Sequence, residues 1–160
     1  MGRNTNTYKG NYQVLNEEKY VGKNKNITYR SSWELKLFDL LDNNPNIISW
    51  GSEVLSIKYE HPLQKTVKSY LPDLFIQYKD ANGKVHTEIV EVKPYCQTNP
   101  KFARSKYDQE QVVINAAKWK YAQAFCRKNG IGFRVITEKD IFSKTKYSKG
   151  IKTRPKKRKK

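Results

Sequence analysis

The chain has 160 residues, room for one domain with a single core, and it is 37% hydrophobic and 29% charged. Its 32 Lys and Arg against 15 Asp and Glu leave a net charge of +17, which points to a polyanionic partner, nucleic acid foremost. No run of 18 apolar residues and no signal-peptide core occur, so neither a membrane span nor secretion is expected, and with only two cysteines and two histidines there is no disulfide scaffold, no thiolate zinc site and little for histidine-pair chemistry.

Residues 1–30 are rich in Asn, Tyr, Lys and Gly, and they are expected to form an arm that packs through Tyr8, Tyr12, Val14, Leu15 and Tyr20 without regular structure. Ser31-Ser32 can cap a helix from about Trp33 to Leu41, stopped by Asp42-Asn43-Asn44-Pro45. Ile47–Trp50 and Val54–Tyr59 alternate as strands, with a Lys-rich turn near Gln64–Lys68. Tyr70–Tyr78 and Val85–Lys93 are two further strands around Asn82-Gly83, a hairpin signal. A long helix from about Asp108 to Lys128 should bury Ile114, Ala117, Tyr121 and Phe125 and end at Asn129-Gly130. Phe133–Ile136 is a short buried strand, and Glu138–Phe142 at most one helical turn. The order implies an α/β fold, a mixed sheet flanked by helices. It divides the chain into an arm (1–30), a core (31–142) and a basic tail (143–160).

The tail contains no acid and ten cations: Lys144, Lys146, Lys149, Lys152, Arg154, Lys156, Lys157, Arg158, Lys159 and Lys160. It leaves only +7 on the first 142 residues. Self-repulsion and few apolar groups predict disorder when unbound and phosphate contacts when bound. A solubilising tail is the plainer reading, and 155–160 also fits a nuclear localisation signal.

Acids are scarce, so an acid in a β-branched strand calls for an explanation. In Ile89-Val90-Glu91-Val92-Lys93 the period of two places Glu91 and Lys93 on one face. Burying both is costly unless they pair or bind something. A Glu–Lys ladder at a sheet edge would suffice if they stood alone. However, the Asn82-Gly83 turn folds Pro72-Asp73 back beside them. A strict two-residue turn makes paired numbers sum to 165, which would point Asp73 away from Glu91. A three- or five-residue loop, or a bulge near Pro72, is therefore predicted. Glu34 leads the helix stripe Glu34, Leu37, Phe38, Leu41. It is either the acceptor of a Ser31-x-x-Glu34 capping box or a further carboxylate at the site.

Such carboxylates suit phosphodiester hydrolysis with a hard divalent cation, Mg2+ with Mn2+ as a substitute. Asp73, Glu91 and the Val92 carbonyl are candidate metal ligands. Lys93 could orient water and offset charge, and Glu34 could bind a second metal or hold a metal-bound water. Glu53 is a further acid near Glu34 or a water-facing strand-edge charge. Lys118 and the Lys65–Lys68 turn are either phosphate contacts or ordinary solvated faces.

Pro72-Asp73 followed by Glu91-Val92-Lys93 resembles the PD-(D/E)xK nuclease superfamily, and Gly132–Glu138 resembles the closing strand of its transposon-type endonucleases. Tyr8-Lys9-Gly10-Asn11-Tyr12, Lys19-Tyr20-Val21-Gly22, Tyr29–Glu34 and Trp50-Gly51-Ser52-Glu53, in this order, resemble the head-completion nucleases of contractile-tailed phages. The resemblance covers roughly Tyr8 to Phe142. It implies a restriction-endonuclease-like fold and a metal-dependent DNA endonuclease or end-trimming enzyme, with catalytic roles at Asp73, Glu91, Lys93 and Glu34. Its expected partners are double-stranded DNA and phage head or neck proteins, in the host cytoplasm during assembly or retained in the virion. The competing expectation is a structural DNA-binding head-completion protein that performs no chemistry.

Overall fold

Strand β1 (Gly10–Gln13) opens the computed structural model, which describes residues 9–141. It pairs antiparallel with β2 (Asn26–Tyr29), so the arm is a two-stranded ribbon and not irregular as expected. The signal was present but diluted: in β2 only Ile27 and Tyr29 turn inward, between Asn26 and Thr28. Tyr12, Val14 and Tyr20 pack on the core, whereas Leu15 is 68% exposed. The cause is Asp42, fully buried at the end of the first helix, which accepts the Leu15 N–H at 2.8 Å, the Asn16 N–H at 3.0 Å and the Tyr12 hydroxyl at 2.7 Å. Burial would raise the pKa of this carboxyl, but the donors win and hold it below the ordinary range. Tyr8, Phe142 and the whole tail lie outside the described residues.

Helix α1 (Ser32–Asn43) starts where expected, with Ser31 Oγ accepting the Glu34 N–H at 3.2 Å. Next come β3 (Ile47–Ser52), β4 (Ile57–Glu60), β5 (Val67–Tyr70), β6 (Leu74–Lys79) and β7 (Val85–Val92). Helix α2 (Lys106–Asn129), β8 (Gly132–Ile136) and α3 (Glu138–Ile141) complete the chain. The main sheet is mixed, in the order β3-β6-β7-β8. Its first three strands are antiparallel, and β8 runs parallel to β7 after the α2 crossover.

Two expected strands differ. The segment Val54–Tyr59 begins only at Ile57, and β4 pairs with β5 alone in a separate ribbon. Tyr70–Tyr78 is likewise two strands in two sheets, broken at Leu71-Pro72-Asp73 because proline has no N–H for a ladder. Helix α2 buries Val112, Asn115, Ala122 and Cys126; of the expected stripe Ala117 and Phe125 pack against the core while Tyr121 is 40% exposed, so the stripe is rotated only in part. Asp108 and Asn115 hid the true face from a count of apolar residues. Asn115 Nδ2 donates to the Gln97 carbonyl at 3.1 Å and packs as a core residue.

The sheet has a core on each face. On the α1 side Trp50 is fully buried, its ring 4.9 Å edge-on from Tyr20 and 5.7 Å from Phe38. On the α2 side Ile89 meets Tyr59, Tyr70, Ala122 and Cys126. Val90 belongs to the first core and Ile89 to the second, the alternation that carries Glu91 to the α2 side.

The β6–β7 register decides whether a site can exist. The pairs run from Lys79↔Val85 to Leu74↔Val90, so paired numbers sum to 164 and Asp73 falls opposite Glu91. The expected irregularity is thus present, a loop of five residues, 80–84, in place of a two-residue turn. Asp80 Oδ1 braces it by accepting the N–H groups of Asn82 (2.8 Å) and Lys84 (3.0 Å), and Gly83 takes a left-handed φ of 78°. A Cβ at Gly83 would meet nothing within 4 Å. Gly83→Ala should therefore cost about 1 kcal/mol through backbone conformation alone. Urea unfolding should show a lower midpoint at unchanged m-value.

Candidate active site

At Pro72-Asp73 the chain leaves the small ribbon and enters the main sheet, and local bonding fixes the aspartate. Its carbonyl accepts the Glu53 N–H at 3.1 Å, and its Oδ2 accepts the Val92 N–H at 2.7 Å. Glu91 lies across from it on β7, flanked on its other side by Val135 of β8, and is 3% exposed. The two carboxyl groups share a hydrogen bond. Glu91 Oε1 is buried and has no N–H donor among the described residues. The β7–β8 ladder continues one residue further, Lys93 N–H to the Ile136 carbonyl at 2.9 Å, and this holds Lys93 beside both acids.

Electrostatics follow from this crowding. Burial first, then the negative charge of Asp73, pushes Glu91 up to about 8, against the pull of Lys93 and Lys118. Asp73 is raised too, chiefly by burial, with the Val92 N–H and Lys93 acting the other way. Two carboxylates so close cannot both ionise cheaply, so near neutral pH the pair holds a proton between them.

Glu34 does not close the expected capping box with Ser31. Its Oε2 accepts the Arg30 N–H at 3.2 Å, one residue ahead of that position, and the charge of Asp73 reaches it. Burial, more than the neighbouring acids, raises its pKa. The Val92 N–H is committed to Asp73, and Val92 lines the adjacent cleft. Asp73, Glu91, Lys93 and Glu34 are therefore brought to one end of the sheet.

Two residues given lesser roles from the sequence sit closer than expected. Glu53 forms a two-point ion pair with Arg30, and its charge raises both Asp73 and Glu34. Its φ of 52° is left-handed, an uncommon conformation for a non-glycine residue and a feature that gathers at functional sites. Lys118 is not on a solvated face: half-buried, its Nζ lies 5.6 Å and 5.5 Å from the Tyr59 and Tyr70 ring centroids. Burial, then the like charge of Lys93, lowers its pKa while Glu91 and Asp73 oppose the shift. The sequence offered Glu53 near Glu34 and Lys118 at phosphate only beside plainer readings, because the position of each depends on a tertiary neighbour.

A cleft of about 810 Å3 adjoins the acids and is lined in part by Arg30, Glu34 and Lys93; neither Asp73 nor Glu91 lines it. Among the described residues no three Asp, Glu, His or Cys side chains converge as a metal cage. Two carboxylates with water and phosphate completing the shell are nonetheless the ordinary way proteins hold Mg2+. The donors are hard oxygens, and Oε1 of Glu91 has no N–H donor among the described residues, so these residues fit such an ion.

A family model for the TnsA-like endonuclease N-terminal domain matches residues 44–138, a span that includes Asp73, Glu91 and Lys93 and leaves out Glu34. The chain is also 37% identical over 141 residues to the head completion nuclease of Enterobacteria phage T4. That alignment covers 82% of this chain and 91% of the phage protein.

Proposed function

The chain belongs to the TnsA-like endonuclease family, and from that premise we propose that it is a Mg2+-dependent endodeoxyribonuclease acting on double-stranded DNA during phage head completion. The observation that carries this reading is the Asp73–Glu91 pair, a half-buried aspartate sharing a hydrogen bond with a buried glutamate beside Lys93, with no N–H donor to Glu91 Oε1 among the described residues. A protein that only binds DNA gains nothing by gathering acids where phosphates approach.

Asp73 and Glu91 would hold the ion, with the Val92 carbonyl as a further oxygen ligand. When bound, Mg2+ (or Mn2+ in its place) supplies positive charge to the phosphate and acidity to the attacking water. Asp73 is held in place by the Val92 N–H, so its carboxylate need not reorganise as the ion enters. Glu91 gives up the shared proton on ionising. Lys93, fixed by the ladder to β8, directs its ammonium at the oxygens on which charge grows as the P–O bond breaks. Glu34 could position a water or a second ion. Lys118 offsets the charge of Glu91 from the α2 side.

The arm (1–30) and core (31–142) act as one unit, and the ten cations of 143–160 supply sequence-independent phosphate contacts. Deleting 144–160 should weaken DNA binding and flatten its salt dependence, by about 0.9 in log–log slope for each phosphate that is no longer neutralised. Filter binding across a salt series measures this. In this reading the enzyme acts in the infected host cell during assembly, where head or neck proteins would be its neighbours.

The direct test is supercoiled plasmid incubated with Mg2+ and with EDTA. Nicked or linear product with Mg2+ alone supports the nuclease. Folded protein that binds DNA and leaves it intact under both conditions would make it a structural DNA-binding protein instead.

A further inference from the structure

The cleft beside Lys93 contains residues that the cleavage chemistry leaves unused. Its volume of about 810 Å3 lies within the roughly 300–1,000 Å3 of pockets that accept small organic ligands. Aromatic groups line it: the Tyr95 and Phe102 rings lie 4.5 Å apart, Phe102 is still 37% exposed, and Trp33 borders the same space. Four cations share the lining: Arg30, Lys93, Arg104 and Lys139. Lys139 Nζ stands 3.5 Å from the Tyr95 ring centroid and 5.8 Å from that of Phe102. Arg104 is exposed and has no ion-pair partner among the described residues.

The two acids of the cleft are already engaged. Both oxygens of Glu138 accept the Tyr95 N–H, at 3.2 and 2.9 Å, which pins the aromatic segment against α3. Glu34 accepts the Arg30 N–H. An exposed ring face bordered by unpaired cations suits a flat, apolar ring that carries an anion, which describes a nucleotide. Paired bases in a duplex keep their faces in the stack and cannot offer one.

We infer that this cleft receives one unpaired nucleotide of the DNA, its base stacked on Phe102 and its phosphate held by Arg104 and Lys139. Cleavage is thereby directed to phosphodiesters beside single-stranded or frayed DNA, which rests on the active-site assignment at Lys93.

The test uses the full chain in EDTA, with a blunt duplex and the same duplex carrying a short single-stranded overhang whose first base is 2-aminopurine. The overhang should tighten binding about tenfold, the size of one base–aromatic stack, and the 2-aminopurine fluorescence should be quenched on binding. Phe102→Ala should lose both effects. Phe102→Trp, which restores a ring, should keep them and covers the case in which the alanine variant fails to fold. Equal affinity for the two duplexes overturns the inference, as does a quench that survives in Phe102→Ala. So does free deoxyadenosine monophosphate binding as tightly as the overhang, which would mark a mononucleotide site. Because no metal is present, these results stand apart from plasmid cleavage: absence of Mg2+-dependent nicking would strike the active-site assignment alone.

Discussion

Asp73→Ala, Glu91→Ala and Lys93→Ala should each lower single-turnover DNA cleavage in Mg2+ by about a thousandfold or more, the scale on which a preorganised electrostatic group contributes to a transition state. Binding should hold or tighten when an acid goes, because a negative charge facing phosphates has been removed. The three losses should also fail to add. Asp73 and Glu91 share one hydrogen bond and, in the proposed reading, one ion, so the double variant should be little worse than either single. Glu34→Ala should cost less, since Glu34 interacts with Asp73 only through space while its hydrogen bond goes to the Arg30 N–H. Quench-flow rates at saturating enzyme, alongside Kd values in EDTA, separate chemistry from affinity. Equal loss of both in the alanine variants would contradict these roles.

The second large effect concerns stability and has the opposite sign from activity. Glu91 titrates near its ordinary 4.5 when unfolded and at about 8 when folded, chiefly because it is buried beside Asp73. Between those values the folded chain holds the proton more tightly than the unfolded chain does. Folding stability in the absence of metal must therefore fall as pH rises through that window. Glu91→Gln keeps the shape, removes the ionisation and should abolish most of that decline. At pH 8 it should be more stable than the natural chain by roughly 2–4 kcal/mol, or about 5 °C or more in Tm. Below pH 4.5 the advantage should vanish. Mg2+ should raise the Tm of the natural protein and leave that of Glu91→Gln nearly unchanged, because only the former gains a ligand on folding. Thermal melts from pH 4 to 9, with and without Mg2+, give all four curves. A dead enzyme more stable than the live one is the expected signature of acids gathered for function.

Much of this site was legible before any coordinate. The β-branched run around Glu91, the proline before Asp73 and the Asn82-Gly83 turn sufficed to place three groups together. They also showed that the turn had to depart from two residues for the faces to agree. The five-residue loop meets that condition. The capping serine of α1 and the left-handed Gly130 ending α2 were equally local signals. What could not be read depended on distant partners. The ribbon β1–β2 is held to α1 by Asp42, whose donors come from residues 26 to 30 positions away in the chain. Lys118 looked solvated because nothing near it in sequence reveals the Tyr59–Tyr70 ribbon it packs over. The buried face of α2 was placed only in part, because Asp108 and Asn115 belong to it and apolar periodicity counts them as surface.

The claim beneath all of this is that Asp73 and Glu91 jointly hold a divalent ion next to Lys93. A crystal soaked in Mn2+ and measured at the manganese absorption edge tests it most directly. The expected result is one anomalous peak within coordination distance of an oxygen from each carboxylate, lost in Asp73→Asn. A peak elsewhere, or none on these two side chains in a crystal that took up the metal, would contradict it.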